Sequence, residues 1–295
     1  MLKWFGFYIG YFFILLLSWL PFAVLYLISD ALAFILYYLI PYRKALVMKN
    51  LANAFPEKTT HERKQIAWRF YRHFSDVLVE TIKLVSISSD GLSKRIEFIG
   101  FEVMEDLYKK DKSVAAVLGH YGNWEWTCIL PLRLKHHPLT IYKPLRNQYF
   151  NRFMIGLRSK FGIEPVPMKQ IYKTLVQYKN KNIITATGFI ADQRPVRDTI
   201  QHWTTFLNQQ TGVFTGIEKI AGRMDMAVVY FRMDKINRGR YRIEPVLLFE
   251  NVSGIEPTAI TETHLRYLES IIRAKPEYWL WSHRRWKHPK PTTHE

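Results

Sequence analysis

His120 and Glu125 are the two side chains of this chain whose types and spacing best fit acid–base chemistry. They lie in the run Gly119-His120-Tyr121-Gly122-Asn123-Trp124-Glu125, which directly follows the apolar stretch Val114-Ala115-Ala116-Val117-Leu118. Five apolar residues ending at a glycine are typical of a buried strand, and reacting groups of α/β proteins gather where such strands end. An imidazole near a carboxylate is sufficient for general-base chemistry on a hydroxyl.

The spacing restricts how the two side chains can meet. On a continuous helix they would point about 140° apart, so His120 must lie in a turn before the helix begins. Gly119 and Gly122 permit that turn because glycine accepts positive φ, and Asn123 fits the N-cap of the helix. We expect Glu125 to accept a hydrogen bond from one ring nitrogen of His120, which leaves the other nitrogen free to take a proton. A capped surface turn without catalysis is the alternative.

The elements that position these residues alternate between strand and helix. Strands are predicted at 96–99, 113–118, 139–142, 183–190, 226–233 and 241–248. Helices are predicted at 57–85, 100–108, 124–134, 148–161, 170–178, 212–222 and 259–274. This alternation predicts an α/β fold with a mixed, mainly parallel sheet flanked by helices.

Composition limits the class of protein and its partners. The 295 residues are 48% hydrophobic and 15% aromatic, which excludes a disordered chain. The net charge of +17 favours anionic partners: nucleic acid, anionic lipid headgroups or acidic proteins. The single cysteine, Cys128, excludes an internal disulfide and a cysteine-based zinc site, and we expect it to be a small buried side chain. His136 and His137 lack a third ligand at zinc spacing, so no metal is predicted.

The N-terminus is long and apolar enough for a membrane anchor. No charged residue occurs from Trp4 to Ser29, and a second apolar run follows Asp30 as far as residue 42. A helix needs about 20 apolar residues to cross the hydrocarbon core. Pro21 interrupts the first run, so a kinked helix or a hairpin of two shorter segments is an alternative to one straight span. A buried core helix of a soluble protein is the third possibility.

Charges around this region predict an orientation. Arg43, Lys44 and Lys49 follow the apolar region, whereas Lys3 alone precedes it. By the positive-inside bias, the bulk of the protein should be cytoplasmic. We therefore expect residues 1–42 to form the anchor and residues 43–295 to form the catalytic domain.

Basic residues interleaved with tryptophan near the C-terminus suggest contact with a membrane surface. The residues concerned are Trp279, Trp281, Arg284, Arg285, Trp286, Lys287 and Lys290. Indole rings at headgroup level and cations near anionic lipid would explain the mixture. Stacking on nucleic acid bases is the alternative, and the apolar N-terminus disfavours it.

Several motifs taken together resemble a known family. Five segments carry the resemblance: the run around His120, Tyr142-Lys143-Pro144-Leu145-Arg146-Asn147, the R-x-x-x-G of Arg158 and Gly162, Ala191-Asp192-Gln193, and the C-terminal Tyr278–Lys287 segment. They are similar to those of the late acyltransferases of lipid A biosynthesis, the lauroyl and myristoyl transferases. These share a His-x4-acid motif with glycerolipid acyltransferases, which usually have Asp at the position of Glu125. The resemblance covers nearly the whole chain. The loop Arg194-Pro195-Val196-Arg197-Asp198 is longer and more basic than the family pattern.

The resemblance implies an activity and a set of roles. It implies transfer of a fatty acyl group, usually from an acyl carrier protein thioester, to a hydroxyl of a lipid A precursor at the cytoplasmic face of the bacterial inner membrane. His120 would deprotonate the hydroxyl and Glu125 would balance the imidazolium, while Arg158 would stabilise the oxyanion or grip a phosphate. Further substrate-binding candidates are Asn123, Lys143, Arg146, Asn147, Asp192 and Gln193. No cofactor is expected, and we expect a monomer.

Two other interpretations stay open. The chain could acylate another membrane lipid, such as a glycosylated phospholipid, an aminolipid or a lysophospholipid, and coenzyme A could replace the carrier protein as donor. It could also be a non-catalytic membrane-surface protein on an acyltransferase scaffold.

Overall fold

The structure is a computed structural model that describes residues 2–288 and 290. A seven-stranded sheet forms the centre of the molecule. Its strand order is β1-β9-β8-β2-β5-β3-β4; every neighbouring pair is parallel except β8 and β9, which are antiparallel. The strands are β1 Ile96–Phe98, β2 Val114–Leu118, β3 His137–Tyr142, β4 Glu164–Pro167, β5 Thr185–Ile190, β8 Ala227–Asn237 and β9 Arg240–Phe249, with β6 His202–Phe206 and β7 Gln209–Val213 forming a separate hairpin. The predicted fold class, α/β with a mixed and mainly parallel sheet, is confirmed.

Helices cover both faces of the sheet. They are α1 Leu2–Trp19, α2 Phe22–Phe34, α3 Lys44–Ala54, α4 Thr60–Lys83, α5 Ser89–Ser93, α6 Glu102–Lys109, α7 Gln148–Ser159, α8 Ile171–Asn180, α9 Gly216–Met224 and α10 Ala259–Ala274. Because helices cover both faces, the central strand β2 is apolar throughout, and all five of its residues are buried.

The long helix α4 begins at Thr60, close to the predicted start at residue 57, and Thr59 is its N-cap. The Thr59 hydroxyl accepts from the Glu62 amide at 3.2 Å, and the Glu62 carboxylate accepts from the Thr59 amide at 2.7 Å. This reciprocal capping box satisfies two amides that the helix itself cannot pair.

The apolar N-terminus forms two helices and not one straight span. The helical conformation is interrupted between α1 and α2 at Pro21. Lys83 donates to the carbonyls of Ser18 and Leu20 at 2.7 and 2.9 Å, which provides hydrogen bonds for carbonyls left unpaired at the end of α1. A π-helical turn, Ile35–Leu39, continues α2. Within the described residues, the 18-residue stretch Phe22–Leu39 passes the length and composition test for a membrane span, with a mean hydropathy of 1.9.

The sequence prediction is wrong around residue 212. The pattern predicts a helix from 212 to 222, but Gly212 and Val213 end β7 and the helix starts at Gly216. The hairpin turns at Leu207 and Asn208, both with positive φ (49° and 62°). Two such residues are what a tight two-residue hairpin requires, yet without a glycine the sequence does not indicate the turn.

Candidate active site

The turn that carries His120 is fixed from two sides. It leaves the sheet after Leu118, and the C-terminal segment pairs with it: the Gly122 amide donates to the Tyr278 carbonyl at 3.0 Å, and the Leu280 amide donates to the His120 carbonyl at 3.1 Å. Gly122 has φ +63°, and a Cβ there would lie 2.9 Å from the carbonyl oxygen of Met233. Only glycine fits this position without displacing the turn.

Strand register brings His120 to Asp192. Leu118 and Ile190 are paired at the ends of β2 and β5, and each of the two polar residues lies two positions beyond. His120 Nδ1 is 2.6 Å from Asp192 Oδ1, and the His120 amide donates to Asp192 Oδ2 at 2.8 Å. The imidazole is therefore held to the carboxylate by its ring and by its backbone.

The partners of the ring assign its protons. His120 Nε2 lies 3.1 Å from Gln193 Nε2. An amide nitrogen only donates, so Nε2 of His120 is the acceptor and Nδ1 carries the hydrogen that points at Asp192. This neutral tautomer leaves a lone pair at Nε2, on an imidazole whose side chain is 16% exposed.

Asp192 remains ionised in this setting. Burial alone would raise the pKa of Asp192, but electrostatic attraction to His120 and hydrogen bonds from His120 and the Trp279 indole (2.8 Å) lower it to about 2. A permanently charged, buried carboxylate is a suitable counter-charge for an imidazolium.

Contrary to the sequence prediction, the side-chain hydrogen bonds of Glu125 among the described residues go to Arg158 and not to His120. Its carboxylate accepts from Arg158, at 3.1 Å from Nε and 2.7 Å from NH2. The segment Trp124–Leu132 is a 3₁₀ helix containing Pro131, and Glu125 in its first turn pairs with α7 and not with the turn before it. Asp192 makes the hydrogen bond to the His120 ring that the sequence predicts for Glu125. Burial alone would lower the pKa of Arg158, but the hydrogen bonds and charge of Glu125 raise it.

Two cavities lie beside these groups. One of about 230 Å³ is lined by Arg158 and Lys143 and by apolar side chains, among them Leu145, Phe150 and Met154. A smaller apolar one of about 40 Å³ is lined by the last residues of β2 and β5, directly before His120 and Asp192. A base held by a fixed carboxylate can activate a hydroxyl, and a nearby apolar cavity can bind an aliphatic chain.

The comparisons with known proteins agree with this chemistry. The sequence profile of the family described as bacterial lipid A biosynthesis acyltransferase matches residues 1–288. The chain belongs to this family. A lipid A biosynthesis acyltransferase of Haemophilus influenzae is 22% identical over 284 residues, which cover 95% of this chain and 86% of the relative. The family resemblance seen in the sequence is confirmed, and membership makes the protein an O-acyltransferase of a lipid A biosynthesis family.

In this acyltransferase the side chain of Asn123 makes its hydrogen bonds inside the protein. Its Oδ1 accepts from the Trp126 amide at 3.3 Å, which confirms the predicted N-cap, and its Nδ2 donates to Glu80 at 2.7 Å. The side chain is fully buried. This leaves no accessible surface for the substrate contact that the sequence suggested as its other role.

Lys143, Arg146 and Asn147 lie between β3 and α7, and all three are exposed. Asn147 caps α7 by accepting from the amides of Tyr149 and Phe150 at 3.0 and 3.2 Å. Lys143 shares the larger cavity with Arg158, whereas Arg146 does not line it. Substrate binding by these residues stays a prediction.

The C-terminal tryptophans are core residues, so the predicted membrane contact is wrong for Trp279 and Trp281. They are 2% and 0% exposed, and their indole groups donate to Asp192 and to the Pro276 carbonyl. Arg285 is 1% exposed and donates to Thr211 and Gly212 at 2.7 and 2.9 Å. Internal acceptors for the indole and guanidinium groups explain why this mixture folds inward. Trp286 is partly buried, and Arg284, Lys287 and Lys290 are exposed.

Sequence reasoning missed Glu80, a fully buried acid that contacts the segment after His120. A signal was present: Asp76 and Glu80 lie four residues apart on the apolar stripe of a predicted helix. Unpaired acids in such a stripe are costly, so a polar network was to be expected there.

Proposed function

We propose that this acyltransferase moves a fatty acyl group from an acyl carrier protein thioester to a hydroxyl of a lipid A precursor, with His120 as the general base. The observation that carries the proposal is the pair of His120 and buried Asp192 at the carboxyl ends of adjacent strands. It replaces the His120–Glu125 pair expected from the sequence.

The proposed reaction uses the Nε2 lone pair of His120, where the acceptor hydroxyl takes the place of the Gln193 amide donor. Nε2 takes the proton of the acceptor hydroxyl, and the resulting alkoxide oxygen attacks the thioester carbonyl carbon. The new C–O bond forms, the C–S bond breaks, and the imidazolium returns its proton to the departing thiolate. Asp192 stays ionised and stabilises the imidazolium between these two proton transfers.

Arg158 is proposed to supply the positive charge that the reaction needs. The two bonds to Glu125 fix its guanidinium, and its side chain remains 33% exposed at the cavity. If it stabilises the oxyanion, Arg158→Lys lowers kcat; if it grips an acceptor phosphate, the same variant raises KM.

The cavity between β3 and α7 is proposed to take acyl chain. Leu145 and Phe150 line it and are 46% and 42% exposed, so it opens at the surface. At that opening α7 stacks on α1, with ring centroids of Tyr149 and Phe7 5.6 Å apart. The cavity therefore lies beside the apolar N-terminal helices, where a lipid chain would arrive.

Residues 1–42 are proposed to hold the enzyme on the cytoplasmic face of the inner membrane, with residues 43–295 as the catalytic domain. The outer faces of α1 and α2 expose large apolar side chains, including Trp19 at 76% and Leu27 at 70%. The inner face of α2 runs antiparallel along α4, from Tyr26 at Glu80 to Tyr37 at Tyr71. Because α2 packs along α4, whose Arg69 and Arg72 side chains are half exposed, α2 is proposed to lie on the membrane and not to cross it.

A basic cluster of Arg194, Arg197 and Lys287 is proposed to bind the acidic carrier protein. Arg194 is 2.8 Å from His288, and partial burial with the cations Arg194, Lys287 and Arg197 lowers the pKa of His288. The cluster follows Gln193 directly. The rate with the carrier-bound donor should fall as salt is added, while a small acyl-pantetheine donor should show no such fall. Equal salt dependence of both donors would contradict carrier docking.

The decisive assay uses purified protein in anionic vesicles with acyl carrier protein thioester and a lipid A precursor, read by mass spectrometry. We expect one added acyl group per acceptor and its loss in His120→Ala. His61→Ala, an exposed histidine on α4, is the matched control and should be fully active. Activity retained by His120→Ala rejects general-base catalysis by His120. Unchanged lipid A in a deletion strain, with another membrane lipid altered, rejects the lipid A acceptor.

A further inference from the structure

A buried polar cluster joins the N-terminal helix α2 to the catalytic turn through Glu80 of α4. The Glu80 carboxylate accepts three hydrogen bonds: from Asn123 Nδ2 at 2.7 Å, from the Tyr241 hydroxyl at 2.8 Å and from the Tyr26 hydroxyl at 2.9 Å. Its backbone carbonyl accepts from the Trp126 indole at 3.2 Å. Glu80 thus binds α2 through Tyr26 and the sheet through Tyr241. It also binds Asn123 and Trp126, the two residues that the cap hydrogen bond joins.

Asp76, one turn earlier on α4, docks the same helix. It accepts from Ser29 at 2.7 Å, from Lys235 at 2.9 Å and from Arg238 at 2.7 and 3.0 Å. Arg238 also pairs with Asp30 of α2 at 2.8 and 2.9 Å. The face of α2 that meets the catalytic domain is therefore held by charges as well as by packing.

His73 completes the connection to the turn. Its Nε2 lies 3.1 Å from the Gly122 carbonyl, and Lys235 lies 3.4 Å from its Nδ1. Burial lowers the pKa of His73 to about 3, so the ring is neutral. Lys235 can only donate to Nδ1, so Nε2 carries the hydrogen and donates to Gly122. Residues 122 and 123, directly after the catalytic histidine and its neighbour, are held by two side chains of α4.

We propose that Glu80 is a positioning residue for acyl transfer, which fixes the catalytic turn through Asn123 and ties its geometry to the docked helix α2. The inference rests on the proposed function of His120. Apolar residues of similar size would pack the same space without the desolvation cost of a buried acid. What an apolar side chain cannot do is hold the Asn123 amide, whose oxygen must face the Trp126 amide to cap the catalytic segment.

The test compares Glu80→Met with Glu80→Gln. In Glu80→Gln the new amide can place its oxygen at Asn123 and Tyr241 and turn its nitrogen toward the Tyr26 hydroxyl, so the bond to the turn survives. In Glu80→Met all three donors are left unpaired. We expect kcat to fall about 100-fold in Glu80→Met, with KM little changed, and to recover to within about tenfold of the wild type in Glu80→Gln. Glu269→Gln is the matched control, since Glu269 is also a buried acid with several donors but lies on α10.

A second readout does not depend on the acceptor. We expect carbethoxylation of His120 by diethyl pyrocarbonate, measured by peptide mass spectrometry against His61, to become at least about threefold faster in Glu80→Met because the turn opens more often. If the wild type does not acylate lipid A but this rate changes, positioning stands and the proposed function fails. If Glu80→Met is folded, with both kcat and the modification rate of the wild type, positioning is refuted.

Tyr26→Phe gives a milder perturbation in case Glu80→Met does not fold. It removes the single hydrogen bond from α2 to Glu80 and keeps the ring. We expect a fall in kcat of about threefold to tenfold at unchanged KM, which corresponds to the loss of one ordinary hydrogen bond. Unchanged kcat in this variant removes α2 from the positioning network.

Discussion

Replacing Asp192 by asparagine separates the two acids that could serve His120. Three donors point at the carboxylate: the His120 amide and the Trp279 indole at Oδ2, and His120 Nδ1 at Oδ1. An amide offers one oxygen, and the two fixed N–H donors claim it. The amide nitrogen then faces Nδ1, which must accept, so the proton moves to Nε2. The lone pair that would take the hydroxyl proton is lost.

The magnitude follows from this change of tautomer. In serine proteases the corresponding replacement lowers kcat by about 10⁴, or roughly 5 kcal/mol of transition-state stabilisation. We expect a fall of about 10³ to 10⁴ in kcat for Asp192→Asn with KM little changed. With its pKa at about 2, Asp192 supplies its charge at every working pH. Its contribution to stability is complete above the ordinary pKa of 3.8 and is lost as pH falls through about 2. Without this charge, the acid limb of kcat/KM should move to lower pH, because the imidazolium has lost its counter-charge.

The assay is single-turnover acyl transfer across pH 5 to 9, roughly the range over which histidines titrate, with Glu125→Gln as the comparison. Glu125→Gln keeps the His120 ring and its tautomer, so its loss should be smaller and should follow that of Arg158→Lys. Thermal unfolding of each variant controls for stability. Asp192→Asn with near wild-type kcat, beside an inactive Glu125→Gln, would refute the reasoning and restore Glu125 as the orienting acid.

Three further predictions address the parts that hold the site. Burial lowers the pKa of His73 to about 3, so the unfolded state takes up a proton there first as pH falls below about 6.5. The wild type should therefore lose about 2 kcal/mol of unfolding free energy through His73 between pH 7 and 5. His73→Gln should not show this part of the loss, as measured by urea denaturation at the two pH values. Gly122→Ala should destabilise by about 2 to 4 kcal/mol, since φ is +63° and Cβ would meet the Met233 carbonyl, whereas Gly156→Ala, with open space, should be neutral or stabilising in the same thermal scan. Leu27→Glu on the outer face of α2 should weaken vesicle binding at least about tenfold in a sedimentation assay, and unchanged binding would show that this face does not contact lipid.

The fold and the positions of the reacting groups follow from local patterns. The apolar stretches of β2 and β5 are readable as buried strands, and His120 and Asp192 each follow one of them. Parallel strands end at one edge, so both residues were expected near the site. The alternation of strands with helices was sufficient for the fold class.

The partner of His120 was not readable, because it depends on which strands are neighbours. A spacing of five in one segment favours Glu125, whereas Asp192 becomes close only because β2 and β5 are adjacent in the sheet. The inward orientation of Trp279 has the same origin, since its indole acceptor is 87 residues away. Composition alone could not separate a membrane-facing indole from one that bonds a buried carboxylate.

The pairing of Trp279 and Leu280 with the His120 turn sets an order of events during synthesis. A ribosome adds these two residues about 160 positions after His120, and more than 240 positions after the α2 helix, as the chain numbering shows. Until they emerge, Asp192 lacks the Trp279 indole donor and the His120 carbonyl lacks the Leu280 amide donor. If the proposed function holds, the apolar helices are made well before the turn that carries His120 can be completed.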